Sequence, residues 1–164
     1  MAFKYSLEGF HPTADVRPWT SEDLKNDSAL LDRFVELWWQ LDEAEDKYDK
    51  PFGIRLPLKN RSEQEKFFRK RLLETSGYAV YEGDQCVGFC MVKPCEYEDS
   101  YWISTLVIDE EFRGKHYGSA LLSYIASVRK GEHCLLRVSM NNKAGLALYK
   151  SQGFVPMTQV MIRK

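Results

Sequence analysis

The sequence predicts one α/β domain of the α+β kind, a single mixed and mostly antiparallel sheet with helices on both faces. Three observations predict it. Segments with a two-residue apolar period alternate along the chain with segments whose apolar residues recur every three or four positions. One strand pattern, Ile103 to Ile108, runs straight into a glycine-containing turn that opens a helix. At 164 residues, 44% hydrophobic and 29% charged, the chain can bury one substantial core and has an ordinary globular composition.

The elements follow in order. Asp15 to Trp19 reads as a first strand, and Pro18 places it at an edge, because proline cannot donate to a ladder. Leu30, Phe34, Leu37, Trp38 and Leu41 mark an amphipathic helix. Asp49 to Lys59, punctuated by Pro51, Gly53 and Pro57, reads as a loop. Ser62 and Glu65 have the spacing of a capping box for a second helix, which carries Phe68 and Leu72 and is stopped by Gly77. Tyr78 to Glu82 and Gln85 to Lys93 form a hairpin around Gly83 and Asp84. The strand through Ile108 comes next, then a helix to Lys130 and a strand from Cys134 to Ser139. A helix opened by Asn142 and a last strand, Thr158 to Arg163, close the order. With no repeat, low-complexity tract or linker the chain reads as one domain.

Composition narrows the function classes. A net charge of −1 gives no basic field for nucleic acid. No apolar run approaches the roughly 18 residues of a membrane span, and Met1 to Phe10 lacks a secretory apolar core, so the expectation is a cytoplasmic protein with no membrane partner. Cys86, Cys90, Cys95 and Cys134 show neither a C-x-x-C pair nor a histidine at ligand spacing, so no metal is expected. Cys86 and Cys90, four apart on one strand, should share a face as small buried hydrophobes. Homodimerisation is left open.

The stretch from Ile108 to Leu122, IDEEFRGKHYGSALL, carries the chemistry. A strand ending in such a turn aims backbone N–H groups at one spot, with the positive end of a helix dipole behind them. That is an anion site suited to a diphosphate, and Arg113 and Lys115 add positive charge that a plain connecting turn does not require. The stretch is neither a P-loop nor a G-x-G-x-x-G fingerprint, because Lys115, His116 and Tyr117 separate its glycines. It resembles the Arg/Gln-x-x-Gly-x-Gly/Ala motif with which the GCN5-related N-acetyltransferases hold the pyrophosphate of acetyl-CoA. Arg113, Gly114, Lys115, Tyr117 and Gly118 match a common form of it, and His116 stands where the family usually has its middle glycine. Asn142 to Phe154, NKAGLALYKSQGF, is similar to the family's later segment of Asn, then Leu-Tyr, then Gly-Phe, with Gly145 in place of the usual alanine. Without the family, Asn142 is an N-cap, Gly153 a left-handed stop, and Tyr149 a core aromatic at helical spacing.

The resemblance carried by these two motifs covers residues 14–164 and leaves residues 1–13 as an N-terminal extension. It implies a sheet splayed at the acetyl-CoA site. The backbones of Leu106, Val107 and Ile108 would receive pantetheine as if it were a strand, and the Leu106 N–H would polarise the acetyl carbonyl. Arg113, Gly114, Lys115, His116, Tyr117, Gly118 and Ser119 would hold the pyrophosphate. Asn142 and Tyr149 would complete the cofactor site, with Tyr149 the acid for the departing thiolate. The general base is left open, since Trp102 and Ser104, where some family members place a glutamate or histidine, supply neither. Glu82, Glu96, Glu98, Asp99, His133 and a water chain remain, the side chains equally readable as surface charges or loop residues. The acceptor side would include Asp42, Glu43, Glu45, Asp46 and Asp49 beside Trp38, Trp39, Tyr48 and Phe52, either a site for a cationic amine or a solvated helix end. Three functions follow: acetylation of a small-molecule primary amine, acetylation of a protein or peptide amine, and acyl-CoA sensing without turnover.

Overall fold

The computed structural model describes residues 14–53 and 60–163. The N-terminal extension and residues 54–59, within the stretch read as a loop, lie outside the described residues. Strand β1 (Ala14–Trp19) leads to a short helix α1 (Ser21–Asn26), which Thr20 and Asp23 close by capping each other's backbone. Asp27 then caps α2 (Ser28–Asp49) by accepting from the Leu30 N–H at 3.0 Å. A single 3₁₀ turn, Lys50–Phe52, ends at Gly53 in the left-handed conformation. After α3 (Arg61–Leu72) come β2 (Ser76–Glu82), β3 (Gln85–Pro94) and β4 (Ser100–Ile108). Helix α4 (Tyr117–Val128), β5 (His133–Leu136) and α5 (Lys143–Ser151) complete the order.

The strands form one open sheet in the order β1-β2-β3-β4-β5, antiparallel throughout except for the parallel pair β4–β5. This is the fold class the periodicity predicts. Its core is divided by the sheet. On one face α2 and α3 pack Phe34, Leu37, Trp38, Phe68 and Leu72 against Trp19 and Phe89, with Phe34 stacked on Phe89 at 4.3 Å and Trp38 on Phe68 at 4.5 Å. On the other face α4 and α5 cover Val80, Val87, Cys90, Tyr101 and Ile103.

Five expectations are corrected. The second helix is capped by Asn60, whose side chain accepts from the Glu63 N–H at 2.9 Å, and not by Ser62; Glu65 reaches forward to Arg69 instead. Gly77 does not stop that helix, which ends at Leu72, but lies inside β2. A Cβ on Gly77 would stand 1.9 Å from the Cys90 carbonyl oxygen, so close strand approach is what requires glycine there. The strand foreseen to Ser139 stops at Leu136, and Thr158 to Arg163 forms no strand; Val160 and Met161 are exposed. Finally, Cys86 and Cys90 lie on opposite faces, because the β2–β3 register shifts so that Val80 pairs with Gly88 but Tyr81 with Cys86. The extra residue flips the alternation.

A second bulge falls in β4. Met91 pairs with Thr105 but Val92 with Ile103, leaving Ser104 over. Tyr101 and Ile103 therefore face the α4 side, whereas Val107 faces the α2 side, and Leu106 and Ile108 pack back toward α4 and α5.

The end of β4 is fastened to α2. Arg33 forms an ion pair with the buried Asp109 and donates from Nε to the Cys86 carbonyl at 3.0 Å. Asp109 also accepts from the Glu111 N–H, and Gln40 accepts from the Glu110 N–H at 2.9 Å. Burial opposes the Asp109 charge, but Arg33 and the Glu111 N–H outweigh it and hold the carboxyl below the usual carboxylate range. Replacing Arg33 by methionine leaves that carboxylate without its cation. We expect a loss of about 3 kcal/mol in urea unfolding at neutral pH. Because the folded-state pKa is depressed, the wild-type advantage exists above the ordinary carboxylate range and fades as pH falls through the lowered value. An equal gap between the two proteins at neutral and strongly acid pH would disprove the assignment.

Candidate active site

The sheet opens between β4 and β5. Pairing runs only from Ser100 with His133 to Ile103 with Leu136, whereas β4 continues to Ile108. Past Leu136 the chain is drawn to the far side of the opening, where the Asn141 Nδ2 donates to the Tyr48 carbonyl of α2 at 2.8 Å. The direction of the β4 backbone follows from its alternation. The Asp109 N–H donates to the Val87 carbonyl, so Asp109 and Val107 turn toward β3. Leu106 and Ile108 therefore present their N–H and C=O to the opening, and Ile108 C=O accepts there from Arg113 Nε at 2.9 Å. Of the three backbones expected to line the cleft, Leu106 and Ile108 do so. Val107 is committed to β3 and buries its side chain under α2.

At the end of β4 the chain turns through Glu110–Phe112 and enters α4. The first bond inside α4 runs from the Ala120 N–H to the His116 carbonyl at 2.9 Å, which leaves the N–H groups of Gly118 and Ser119 outside the helical ladder. These donors and the helix dipole supply an anion seat beside the opening. Arg113 braces the turn through Ile108, and the Lys115 ammonium sits 4.9 Å over the Phe112 ring. Gly114 has φ 73°, so glycine is required there by conformation. Gly118 is required by packing instead: a Cβ would lie 2.9 Å from Leu148 Cδ2, where α5 crosses α4. A bulky Gly118 variant would therefore disturb the helix contact as well as the anion seat.

His116 is the N-cap of α4, with φ 65° and ψ 10° and no side-chain capping bond. Histidine is one of the few side chains that occupies this region with some frequency. Its side chain is exposed.

Helix α5 brings the second motif to the opening. The Asn142 Oδ1 accepts from the Gly145 N–H at 2.8 Å, as an N-cap should. A Cβ at Gly145 would stand 2.5 Å from Asn142 Nδ2, so glycine replaces the family alanine because the cap folds over it. Gly153 has φ 86° and ends the helix. Tyr149 is half-buried, edge-on to Phe154 at 5.7 Å, and packs against the cluster that includes Leu106 and Ile108. Burial first, then the charge of Glu45 on α2, pushes its phenol up to about 12.

The remaining candidates separate. Glu96 bonds the Trp102 indole at 3.3 Å, and His133 opens β5 with its backbone on the Asp99 carbonyl, at the end of the sheet away from the opening. Asp42 accepts from Gln64 at 3.3 Å, which ties α2 to α3. Arg33, Gln40, Asp109, Asn141 and Ser104 were not foreseen. The first four act through contacts between residues 53 to 93 positions apart, and nothing in their local sequence distinguishes them; Ser104 interrupts a regular strand pattern only by being polar.

With this arrangement in view, the comparisons decide the family. A model of the acetyltransferase (GNAT) family matches residues 31–154. The chain belongs to that family. It is an N-acetyltransferase by that membership, and both the strand–turn–helix and the segment from Asn142 to Phe154 fall within the matched residues. Its fold is similar to an aminoglycoside acetyltransferase from an uncultured soil metagenomic sample, solved with sisomicin, at 12% identity over 93% of this chain and 95% of that one, TM-score 0.63. A putative acetyltransferase of Bacillus subtilis aligns at 19% identity over 93% and 98%, TM-score 0.62. The aminoglycoside N-acetyltransferase AAC(6')-Iy, solved with CoA, aligns at 12% identity over 92% and 93%, TM-score 0.62. No curated protein matches the chain. Among the described residues no helix is long and apolar enough to cross a membrane.

The left-handed His116 gives a direct test of how this family member departs from its motif. Changing His116 to glycine removes roughly 1 kcal/mol of backbone strain against a similar entropic cost. Stability should therefore stay within about 1 kcal/mol, and kcat within about tenfold, or roughly 1.4 kcal/mol of barrier. His116→Val, β-branched at positive φ, should lower Tm clearly. A thermal melt with both variants equal to wild type would contradict the backbone assignment, and a larger kcat loss in His116→Gly would make the imidazole catalytic.

Proposed function

We propose that the protein transfers the acetyl group of acetyl-CoA to the primary amine of a small molecule, by direct attack in a ternary complex. One observation carries this reading: the sheet parts between β4 and β5 with the backbone groups of Leu106 and Ile108 and the turn into α4 beside the gap, and Tyr149 packs on the same face as Leu106 and Ile108. Leu106 and Ile108 would accept the pantetheine arm as an added strand, and the turn from Arg113 to Ser119 would hold the diphosphate, with Lys115 compensating its charge. Asn142 serves this site through the helix it caps. Bound acetyl-CoA supplies the activated thioester.

The remaining work falls to the chain. The Leu106 N–H, fixed by the ladder behind it, offers a preorganised donor to the acetyl oxygen, typically worth about 10²–10³ in rate. Tyr149, pushed up to about 12, is fully protonated at neutral pH and so has a proton to give. An ordinary thiol lies near about 8.5, so the transfer runs uphill until the site changes around the phenol. Small amines are favoured as acceptors by the acidic end of α2 and by the aminoglycoside enzymes among the similar structures. The free state of all four cysteines accords with a cytoplasmic setting.

Thiol release from acetyl-CoA across a panel of primary amines and peptides tests the reading. Release with small amines is expected; release with peptides alone would favour a protein acceptor, and CoA binding without release would favour a sensor. Lys115→Glu, which alters an exposed charge, should weaken CoA binding at least about tenfold in calorimetry without changing Tm; unchanged affinity would remove the diphosphate from this turn.

Tyr149→Phe retains the ring and its packing while removing the proton. General acid catalysis is worth about 10²–10⁴-fold, so kcat should fall in that range with CoA affinity nearly constant. Loss of a neutral hydrogen bond alone costs about 0.5–1.5 kcal/mol, roughly tenfold at most. A variant that keeps more than about a tenth of kcat, with chemistry rate-limiting, makes Tyr149 a positioning residue.

A further inference from the structure

The opening has two sides with different contents. The anion seat of α4 and the Tyr149 phenol belong to the side covered by α4 and α5. A cofactor seated there leaves the α2 side for the acceptor. What β4 and β5 present on that side follows from their alternation. Tyr101, Ile103, Cys134 and Leu136 all pack toward α4 and α5, so the pair between them, Trp102 and Leu135, faces the α2 side.

Trp102 carries a cation. The Arg137 guanidinium carbon stands 5.5 Å from the centre of the indole ring, and the indole N–H donates to Glu96 at 3.3 Å. Arg137 is the first residue past Leu136, where β5 parts from β4, so this group stands at the apex of the opening. Arg17, Arg33, Arg69 and Arg129 each hold a carboxylate within ion-pair distance. Arg137 has none among the described residues, and it is exposed.

The charges around the acceptor side are of both signs. The chain leaving Arg137 runs to Asn141, whose bond to the Tyr48 carbonyl ties it to the end of α2, where Asp42, Glu43, Glu45, Asp46 and Asp49 lie. A small molecule with a cationic amine and a single anionic group is complementary to that pair of surfaces. One guanidinium offers a planar carboxylate two parallel N–H donors. A phosphate dianion would bring more negative charge than one arginine offsets beside the acidic end of α2. From Ile103, level with the apex, to Leu106, whose N–H faces the opening, the strand advances about 7–10 Å, allowing for the bulge at Ser104. A short amino acid and its contacts at either end fill that length.

Resting on the acetyltransferase reading, we infer that Arg137 determines the acceptor: held on the face of Trp102, its guanidinium receives the carboxylate of an amino acid whose amine is acetylated beside Leu106. The residue adds no step to the transfer. It selects, among small primary amines, those that carry a carboxylate.

Matched acceptors differing by one carboxylate test this: 4-aminobutyrate with propylamine, lysine with cadaverine, and phenylalanine with phenethylamine. Thiol release from acetyl-CoA gives kcat/KM for each. The wild type is expected to favour the carboxylated member of at least one pair by about tenfold or more. In Arg137→Gln the kcat/KM for that member should fall about 10–100-fold, with its plain-amine partner and the KM for acetyl-CoA within about twofold of wild type. Arg137→Lys, which keeps the charge but not the paired donors, should fall between the two. Tm should not change, because Arg137 is exposed; Lys130→Gln, also exposed, controls for net charge. A wild type without preference for the carboxylated members, or an Arg137→Gln loss that is absent or shared equally by both members, overturns the assignment and leaves acetyl transfer standing. Failure of the wild type to acetylate any probe while it binds acetyl-CoA overturns the small-amine reading, and this one with it.

Discussion

After Ile103, β4 keeps its partner on one side and loses it on the other, and the same step carries the bulge at Ser104. That extra residue rotates the strand, so Leu106 and Ile108 point their backbone groups into the space that β5 has left. An unpaired strand edge is normally a liability, because its N–H and C=O groups invite association. Here it lies within the molecule, between α2 and α5, and is the part of the fold able to receive an extended amide-bearing chain. Every other feature of the site is placed with respect to this opening.

Helix α2 keeps it open. In its first turns Arg33, and past its middle Gln40, hold the end of β4 through Asp109 and Glu110. At its end, the Tyr48 carbonyl accepts from Asn141 and so anchors the chain that has left β5. One rigid rod thus grips both edges of the gap on the same face. On the other face α4 and α5 meet at Gly118 and Leu148, which sets the anion seat of one helix against the phenol of the other. Of the polar fastenings, the Arg33–Asp109 pair has a buried carboxylate, where a lost partner costs more than at the surface.

The departures from the family motifs have local explanations. His116 takes a left-handed conformation that glycine would adopt at less cost, and it is tolerated because the side chain leaves toward solvent. Gly145 replaces alanine because the Asn142 cap lies directly over it. Neither change reaches the groups that line the opening. Both alter the cost of the backbone and leave its direction alone.

The sequence by itself determined the local and periodic features: nine of the ten α-helices and strands among the described residues, the left-handed stop at Gly153, the Asn142 cap, the hairpin at Gly83 and the two segments that resemble the family's motifs. Each depends on residues within a few positions of one another, where turn chemistry and apolar period are direct consequences of composition. The tertiary structure decided what depends on register and distance. Two bulges moved Cys86 and Val107 to the α2 face, and Asn60 took the cap that Ser62 had the spacing to provide. Thr158 to Arg163, a strand by its alternation, found no ladder to join. The acceptor side was least legible, since five acidic residues near the end of α2 look alike in sequence. Strand registry and cross-face contact arise from the whole chain at once, which is why no local pattern encodes them.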